Sequence, residues 1–270
     1  MDTQAPFFVS IPHAGEYVPP EAEWLKNIPE NILMCDVDRY INLLYAPIIE
    51  KLNIPAITAR IHRYVVDVNR SSQDIDERTV VDAGKISSVI PGGFHWLETT
   101  REHVLMYAPI SQELHASLTE AYYNPFHLLI KSAFERFERL GYAHVYHLDL
   151  HSMPSKGEKV HRDAGAARSD VVVSDFHGTS CDPTFKDAVI DAYRIEGFSV
   201  GYNWPYEGGH ITKRHGVVEM GHHTAQVELN RALYMDEETR QMDAEKFFDT
   251  QKRVYAAVKY VYKWIERRGF

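Results

Sequence analysis

Phe7-Phe8-Val9-Ser10-Ile11 runs directly into Pro12-His13-Ala14-Gly15-Glu16. The first five residues are mostly aromatic and β-branched, which predicts a buried strand; proline, alanine and glycine then break it into a turn. In open α/β sheets, ligands sit outside the carboxyl ends of the strands, so His13 and Glu16 are candidates for a site there. A histidine and a carboxylate three positions apart can reach one ion from a single turn, and both donor types suit Zn²⁺. The spacing alone is weak, because such pairs arise often by chance. Residues further along strengthen it.

Outward from this stretch, apolar runs alternate with amphipathic ones. Asp36 is read as the cap of a helix over 37–52, with Pro47 inside the pattern predicting a kink or a split. Residues 55–59 and 64–68 read as strands, the second ending at Asn69-Arg70. The polar, glycine-bearing segment 71–98 reads as a surface loop or an active-site flap. Helical periodicity spans 111–140, divided at Asn124-Pro125 and ended by Gly141. Strands are predicted at 143–150, leading into His151, and at 171–173, 198–202 and 224–229. Helices are predicted at 185–196 and 243–267. The alternation predicts an α/β fold: a single domain over 1–270 with a mixed, mostly parallel sheet flanked by helices.

Bulk properties narrow the function. The chain has 29 basic and 38 acidic residues, a net charge of −9, which argues against nucleic-acid or anionic-membrane partners. No apolar run approaches the roughly 20 residues of a membrane span. The beginning of the chain lacks the regions of a signal peptide, and Cys35 and Cys181 sit in no paired motif, so a reducing cytoplasm is expected. Most of the 15 histidines must be bystanders.

Strand ends now present complementary polar groups: His13 and Glu16, Asn69-Arg70, His151, and Glu228 near the end of the chain. In His147-Leu148-Asp149-Leu150-His151 the polar residues alternate, so Asp149 and His151 share a face and Asp149 could orient the histidine. Gln226 and Glu228 likewise share a face of their strand. Arg70 offers a planar fork for a carboxylate, with a structural ion pair to Asp67 or Asp74 as the competing reading. Gly208-Gly209-His210-Ile211-Thr212-Lys213-Arg214-His215 is glycine-led, so its backbone can approach a ligand; Thr212 and Arg214 could contact a polar group of that ligand.

Five motifs occur in one order: Ser-Ile-Pro-His13-Ala-Gly, Arg63-Tyr-Val-Val-Asp67-Val-Asn69-Arg70, Leu-Asp149-Leu-His151-Ser, Asp175-x-x-Gly178-Thr-Ser180-Cys181, and Gly208-Gly209-x-Ile211-Thr212. With Gln226-Val227-Glu228-Leu229-Asn230 and Tyr234-Met235 after them, the chain resembles the N-formylglutamate amidohydrolase (deformylase) family from about residue 7 to 235. That family in turn resembles zinc carboxypeptidases and aspartoacylase in fold. The resemblance implies one Zn²⁺ per chain held by His13, Glu16 and His151, with Glu228 as general base and Asn69-Arg70 on a substrate carboxylate. Other imidazole- and carboxylate-binding divalent ions are compatible with the same ligands. Arg63 is the candidate cation for the charge of a tetrahedral intermediate. The sequence departs from the family at His210, where tyrosine is common, and at Lys213-Arg214-His215, which replace an arginine-aromatic pattern.

The expected activity is zinc-dependent cleavage of an N-acyl amino acid bearing a free carboxylate. N-formyl-L-glutamate, giving formate and glutamate as in histidine degradation, is the first candidate. A related metallo-carboxypeptidase or deacylase is the alternative within enzymes. A non-catalytic binder of an acidic metabolite is the rival from another class, and it would show loss of the base or a ligand.

Overall fold

The computed structural model describes residues 4–84 and 92–268. Six strands form one sheet: β1 (Phe7–Ile11), β2 (Ala56–Thr58), β3 (Val145–Met153), β4 (Val171–Ser174), β5 (Val200–Tyr202) and β6 (His222–Asn230). Their order is β2-β1-β3-β6-β4-β5, parallel throughout except where β4 meets β6. The helices are α1 (Glu30–Leu33), α2 (Ile41–Leu52), α3 (Gln112–Leu118), α4 (Asn124–Arg139), α5 (Pro183–Ile195), α6 (His210–His215) and α7 (Ala244–Glu266). Among the described residues no helix is long and apolar enough to cross a membrane. The α/β class and the mixed, mostly parallel sheet are as the alternation predicts.

The strand residues of period two divide the sheet into unlike faces. Phe7, Val9 and Ile11 of β1, Leu148 and Leu150 of β3, and Val227 and Leu229 of β6 join one apolar core with side chains of α2, α5 and α7. The opposite face carries Ser10, then His147, Asp149 and His151, then Thr224, Gln226 and Glu228, every one of them buried. Register places these polar residues in rows: Phe8, His147 and Thr224 in one, Ser10, Asp149 and Gln226 in the next, and His151 beside Glu228. Below the rows, Phe8 and Val145 pack with Phe126, Ile130, Phe134 and Phe137 of α4 in a second core. A strand whose inward face is polar in its last residues is building a site there.

Three sequence expectations give way to tertiary structure. Residues 64–68 form turns and not a strand; Tyr64, Val65, Val66 and Val68 are buried in the second core without a sheet neighbour. Their apolar pattern reflects burial alone. The helix expected from Val37 starts at Ile41, behind Tyr40 with φ 68°. Asp36 is therefore no cap; its carboxylate accepts hydrogen bonds from Tyr64 Oη (2.6 Å) and Thr100 N (3.1 Å). Pro47 lies inside α2 without splitting it. Finally, 92–96 is no surface loop: Phe94, His95 and Trp96 are buried. The rest of the expected flap includes 85–91, outside the described residues.

Candidate active site

His13 follows the end of β1, and His151 ends the polar column on β3. Their rings meet edge to face, with Nδ1 of His151 3.1 Å from Nδ1 of His13. Asp38 completes the group: its Oδ2 is 3.7 Å from His13 Nδ1 and 3.4 Å from His151 Nδ1. Among the described residues these three form the cluster able to hold a metal ion. The Asp38 backbone N donates to the His13 carbonyl (2.9 Å), and Oδ1 accepts from Ser152 Oγ (3.1 Å) and Arg231 Nη2 (3.0 Å). Oδ2 is buried without any hydrogen-bond donor.

The donor set can be tested by following protons. Asp67 Oδ1 faces His13 Nε2 at 2.7 Å and also accepts from Asn69 N, while its Oδ2 accepts from Arg63 Nη2 and Trp96 Nε1. Burial would raise the Asp67 carboxyl, but His13, Arg63 and Arg70 together hold it well below the usual carboxylate range. An ionised carboxylate can only accept, so the His13 proton sits on Nε2. Asp149 Oδ2 faces His151 Nε2 at 2.8 Å, so the same argument puts the His151 proton on Nε2. The 3.5 Å approach of Asn69 Nδ2 to that nitrogen is then a contact without a hydrogen bond. Two imidazole lone pairs and one orphaned carboxylate oxygen thus converge on one spot. Three acceptors so placed repel one another and suit a divalent cation, with Asp67 and Asp149 orienting the rings from behind. Burial would lower the His151 pKa, yet Asp149, Asp38 and Glu228 raise it well above the ordinary value: without a cation a second proton, on Nδ1, occupies the place between His151 and Asp38, and a metal ion would displace it.

Glu16 is not brought to this group. Its carboxylate accepts from Arg39 Nε at 2.9 Å and its side chain is 43% exposed. The reason lies in the chain path. Tyr17 N donates to Arg60 O and His62 N to Tyr17 O, so the backbone after Gly15 runs extended beside 60–62 and does not turn helically. Gly15 permits this approach: a Cβ there would lie 2.5 Å from the Arg60 and Ile61 backbone. Asp38, and not Glu16, is the carboxylate that stands beside the two histidines. The Asp36-Val37-Asp38 pair of acids in an apolar setting was its one sequence trace.

Glu228 is buried beside His151 in register, and Gln226 Nε2 donates to its Oε1 at 2.9 Å. Burial pushes the Glu228 carboxyl up, with His151 offsetting part of the effect. Arg63 donates to the Asp36 carbonyl (2.9 Å) and to Asp67 (3.0 Å), stacks on Trp96 at 4.7 Å, and keeps a buried Nε without a partner. Arg70 donates from Nε to Gly92 O (2.7 Å) and from Nη1 to Asn69 O (3.1 Å). Among the described residues it has no carboxylate within 4.0 Å, so neither Asp67 nor Asp74 pairs with it.

Asn69 is buried and acts on the glycine-led loop: Oδ1 accepts from Ile211 N at 2.8 Å, while Gln226 Oε1 accepts from Gly209 N at 2.8 Å. Thr212 is fully buried with Oγ1 unpartnered. Arg214 Nη1 donates to Tyr123 Oη at 3.0 Å, and the same hydroxyl meets His210 Nε2 at 3.0 Å. The Gly208-Gly209 turn and the start of α6 are therefore fastened to both Asn69 and Gln226.

Comparison with known proteins identifies the family. Residues 5–235 match the family model described as N-formylglutamate amidohydrolase. The chain is similar to an N-formylglutamate deformylase of Pseudomonas aeruginosa, 30% identical over 87% of this chain and 84% of that one. It is similar to another of Pseudomonas putida, 28% identical over 86% and 82%. Its fold resembles the crystal structure of N-formylglutamate amidohydrolase from Ralstonia eutropha, with TM-score 0.83, 25% identity and coverage of 97% and 94% of the two chains. On the motifs and these relatives, the chain belongs to the N-formylglutamate amidohydrolase family and is a hydrolase acting on an amide.

Proposed function

We propose that this protein cleaves an N-acyl amino acid with a free α-carboxylate, N-formyl-L-glutamate first, using a divalent ion, zinc by preference, held by His13, Asp38 and His151. The observation that carries the reading is the convergence of His13 Nδ1, His151 Nδ1 and the unpartnered Asp38 Oδ2 beside buried Glu228. When bound, such an ion supplies Lewis acidity, making water a nucleophile near neutral pH and polarising the amide carbonyl. Glu228 accepts the water's proton and passes it to the leaving amine; a carboxyl raised by burial is tuned toward that exchange. Arg63, fixed by Asp67 and Trp96, contributes positive charge where the tetrahedral intermediate becomes anionic. Arg70, free of carboxylate partners among the described residues, grips the substrate's α-carboxylate, and Asn69 holds the loop that faces it. Arg214 is the candidate for a distal polar group, with Thr212 of the same helix packed against Gly208.

The test is a substrate panel: purified, metal-loaded protein with N-formyl, N-acetyl and short peptide derivatives of glutamate and aspartate. Release of formate from N-formyl-L-glutamate, with the highest kcat/KM of the panel, is expected. A preference for peptides or larger acyl groups would move the reading to a carboxypeptidase or another deacylase.

A further inference from the structure

We infer that Ser10 and His147 are positioning residues for His151: with Asp149 they form a buried relay that fixes which ring nitrogen of His151 is left free. The inference rests on the reading of His13, Asp38 and His151 as a metal site and deepens it.

The relay follows the polar rows of the sheet. Ser10 Oγ donates to Asp149 Oδ1 at 2.5 Å, and Asp149 Oδ2 accepts from His151 Nε2 at 2.8 Å. Ser10 has one hydroxyl hydrogen, which Asp149 takes, so toward His147 Nε2, 2.8 Å away, Ser10 Oγ can only accept. His147 therefore carries its proton on Nε2, and its Nδ1 accepts from Thr224 Oγ1 at 3.3 Å. Each proton direction forces the next, from Thr224 to His151. Reversing His147 would leave two oxygen lone pairs, of Ser10 and Asp149, facing each other at 2.5 Å. Ser10, His147, Asp149 and Thr224 are all 0% exposed, so no solvent can repair a broken link. The His147 ring is also clamped: it stacks on Phe8 at 4.4 Å and meets the edge of Phe134 at 6.0 Å. Apolar side chains would fill these positions more cheaply than a serine and a histidine. What the polar pair adds is a definite orientation of Asp149, hence a definite tautomer of His151 with Nδ1 turned to His13 and Asp38.

The test measures metal affinity, by competition between the full-length chain and a chromophoric chelator for Zn²⁺. Ser10→Ala and His147→Phe should each bind on the order of 10 to 100 times more weakly, the range for loss of an outer hydrogen-bond partner. His147→Gln, which can place its Nε2 amide donor near Ser10, should recover most of that loss. His151→Ala and Asp38→Ala report on the underlying reading. If these two bind Zn²⁺ as wild type does, the metal site itself is refuted. If they are weakened while Ser10→Ala is not, only the relay is refuted. A measurement that needs no variant is long-range ¹H–¹⁵N NMR of the metal-free wild type. It should show His147 protonated at Nε2 alone, and a proton at Nδ1 instead would overturn the inference.

Discussion

Gly209 and Asn69 are packed so closely that a Cβ on Gly209 would lie 2.2 Å from Asn69 Nδ2. Asn69 cannot swing clear, because it is buried and its Oδ1 already accepts from Ile211 N. The Gly208-Gly209 turn leading into α6 and the Asn69-Arg70 corner therefore form one unit. Gly209→Ala should shift the loop by a fraction of an ångström or more, lowering kcat/KM by about 10- to 100-fold. Overpacking should cost about 1–3 kcal/mol of stability. Steady-state kinetics with urea unfolding check this, and an unaltered kcat/KM would show that the loop does not touch substrate.

Asp38, and not Glu16, should control metal content. Elemental analysis of His13→Ala, Asp38→Ala and His151→Ala should show metal well below wild type, whereas Glu16→Gln should retain it. Full metal content in Asp38→Ala together with loss in Glu16→Gln would restore the carboxylate read from the His-x-x-Glu spacing.

Glu228→Gln keeps the size of the side chain and leaves the ligands alone. It should keep metal and fold while hydrolysis falls by on the order of 10² to 10⁴, the range for a positioned general base. Turnover near the wild-type value in a metallated Glu228→Gln protein would place the base elsewhere, with Glu219 the next residue to test.

Arg70 should discriminate between acid and amide. A hydrogen bond to a charged group contributes about 1.5–3 kcal/mol, so Arg70→Ala should lower kcat/KM by roughly ten- to more than a hundredfold. Lysine should restore only part, since it keeps the charge without the fork. Wild type should lose activity on a substrate whose α-carboxylate is an amide, and Arg70→Ala should treat acid and amide nearly alike. A mutant that still preferred the acid as strongly would move the carboxylate to Arg214.

Buried histidines should make the metal-free protein acid-sensitive. Burial pushes His62, His95 and His223 down to about 4, against about 6.5 in an unfolded chain. Below pH 6.5 the unfolded state then binds more protons, so their stabilisation is complete above 6.5 and is lost as pH falls toward 4. Each such group contributes a slope of about 1.4 kcal/mol per pH unit. Urea midpoints measured with chelator present should fall steadily from pH 7 to 5. His62→Gln, which retains an amide donor for the Leu33 carbonyl that His62 Nε2 reaches at 3.0 Å, should flatten the slope by about one proton. Equal midpoints across the range would mean these histidines are already protonated in the fold.

Features that depend on local period and composition are legible along the chain. The strand at Phe7–Ile11, the alternation that sets Asp149 with His151 and Gln226 with Glu228, and the order of the family motifs all follow from residue spacing. Side-chain direction along a strand is a property of the strand alone. Features that depend on the path between elements emerge only in the fold. His13 and Glu16 would converge only on a helical turn, and the packing of Gly15 against Arg60 and Ile61 imposes an extended one. Asp38 lies in an aperiodic connection, and it enters the site because its backbone is tied to His13 and its carboxylate to Arg231 and Ser152. The apolar run 64–68 looked like a strand because burial and pairing leave the same mark on a short sequence, and only the fold reveals whether a neighbouring strand is there.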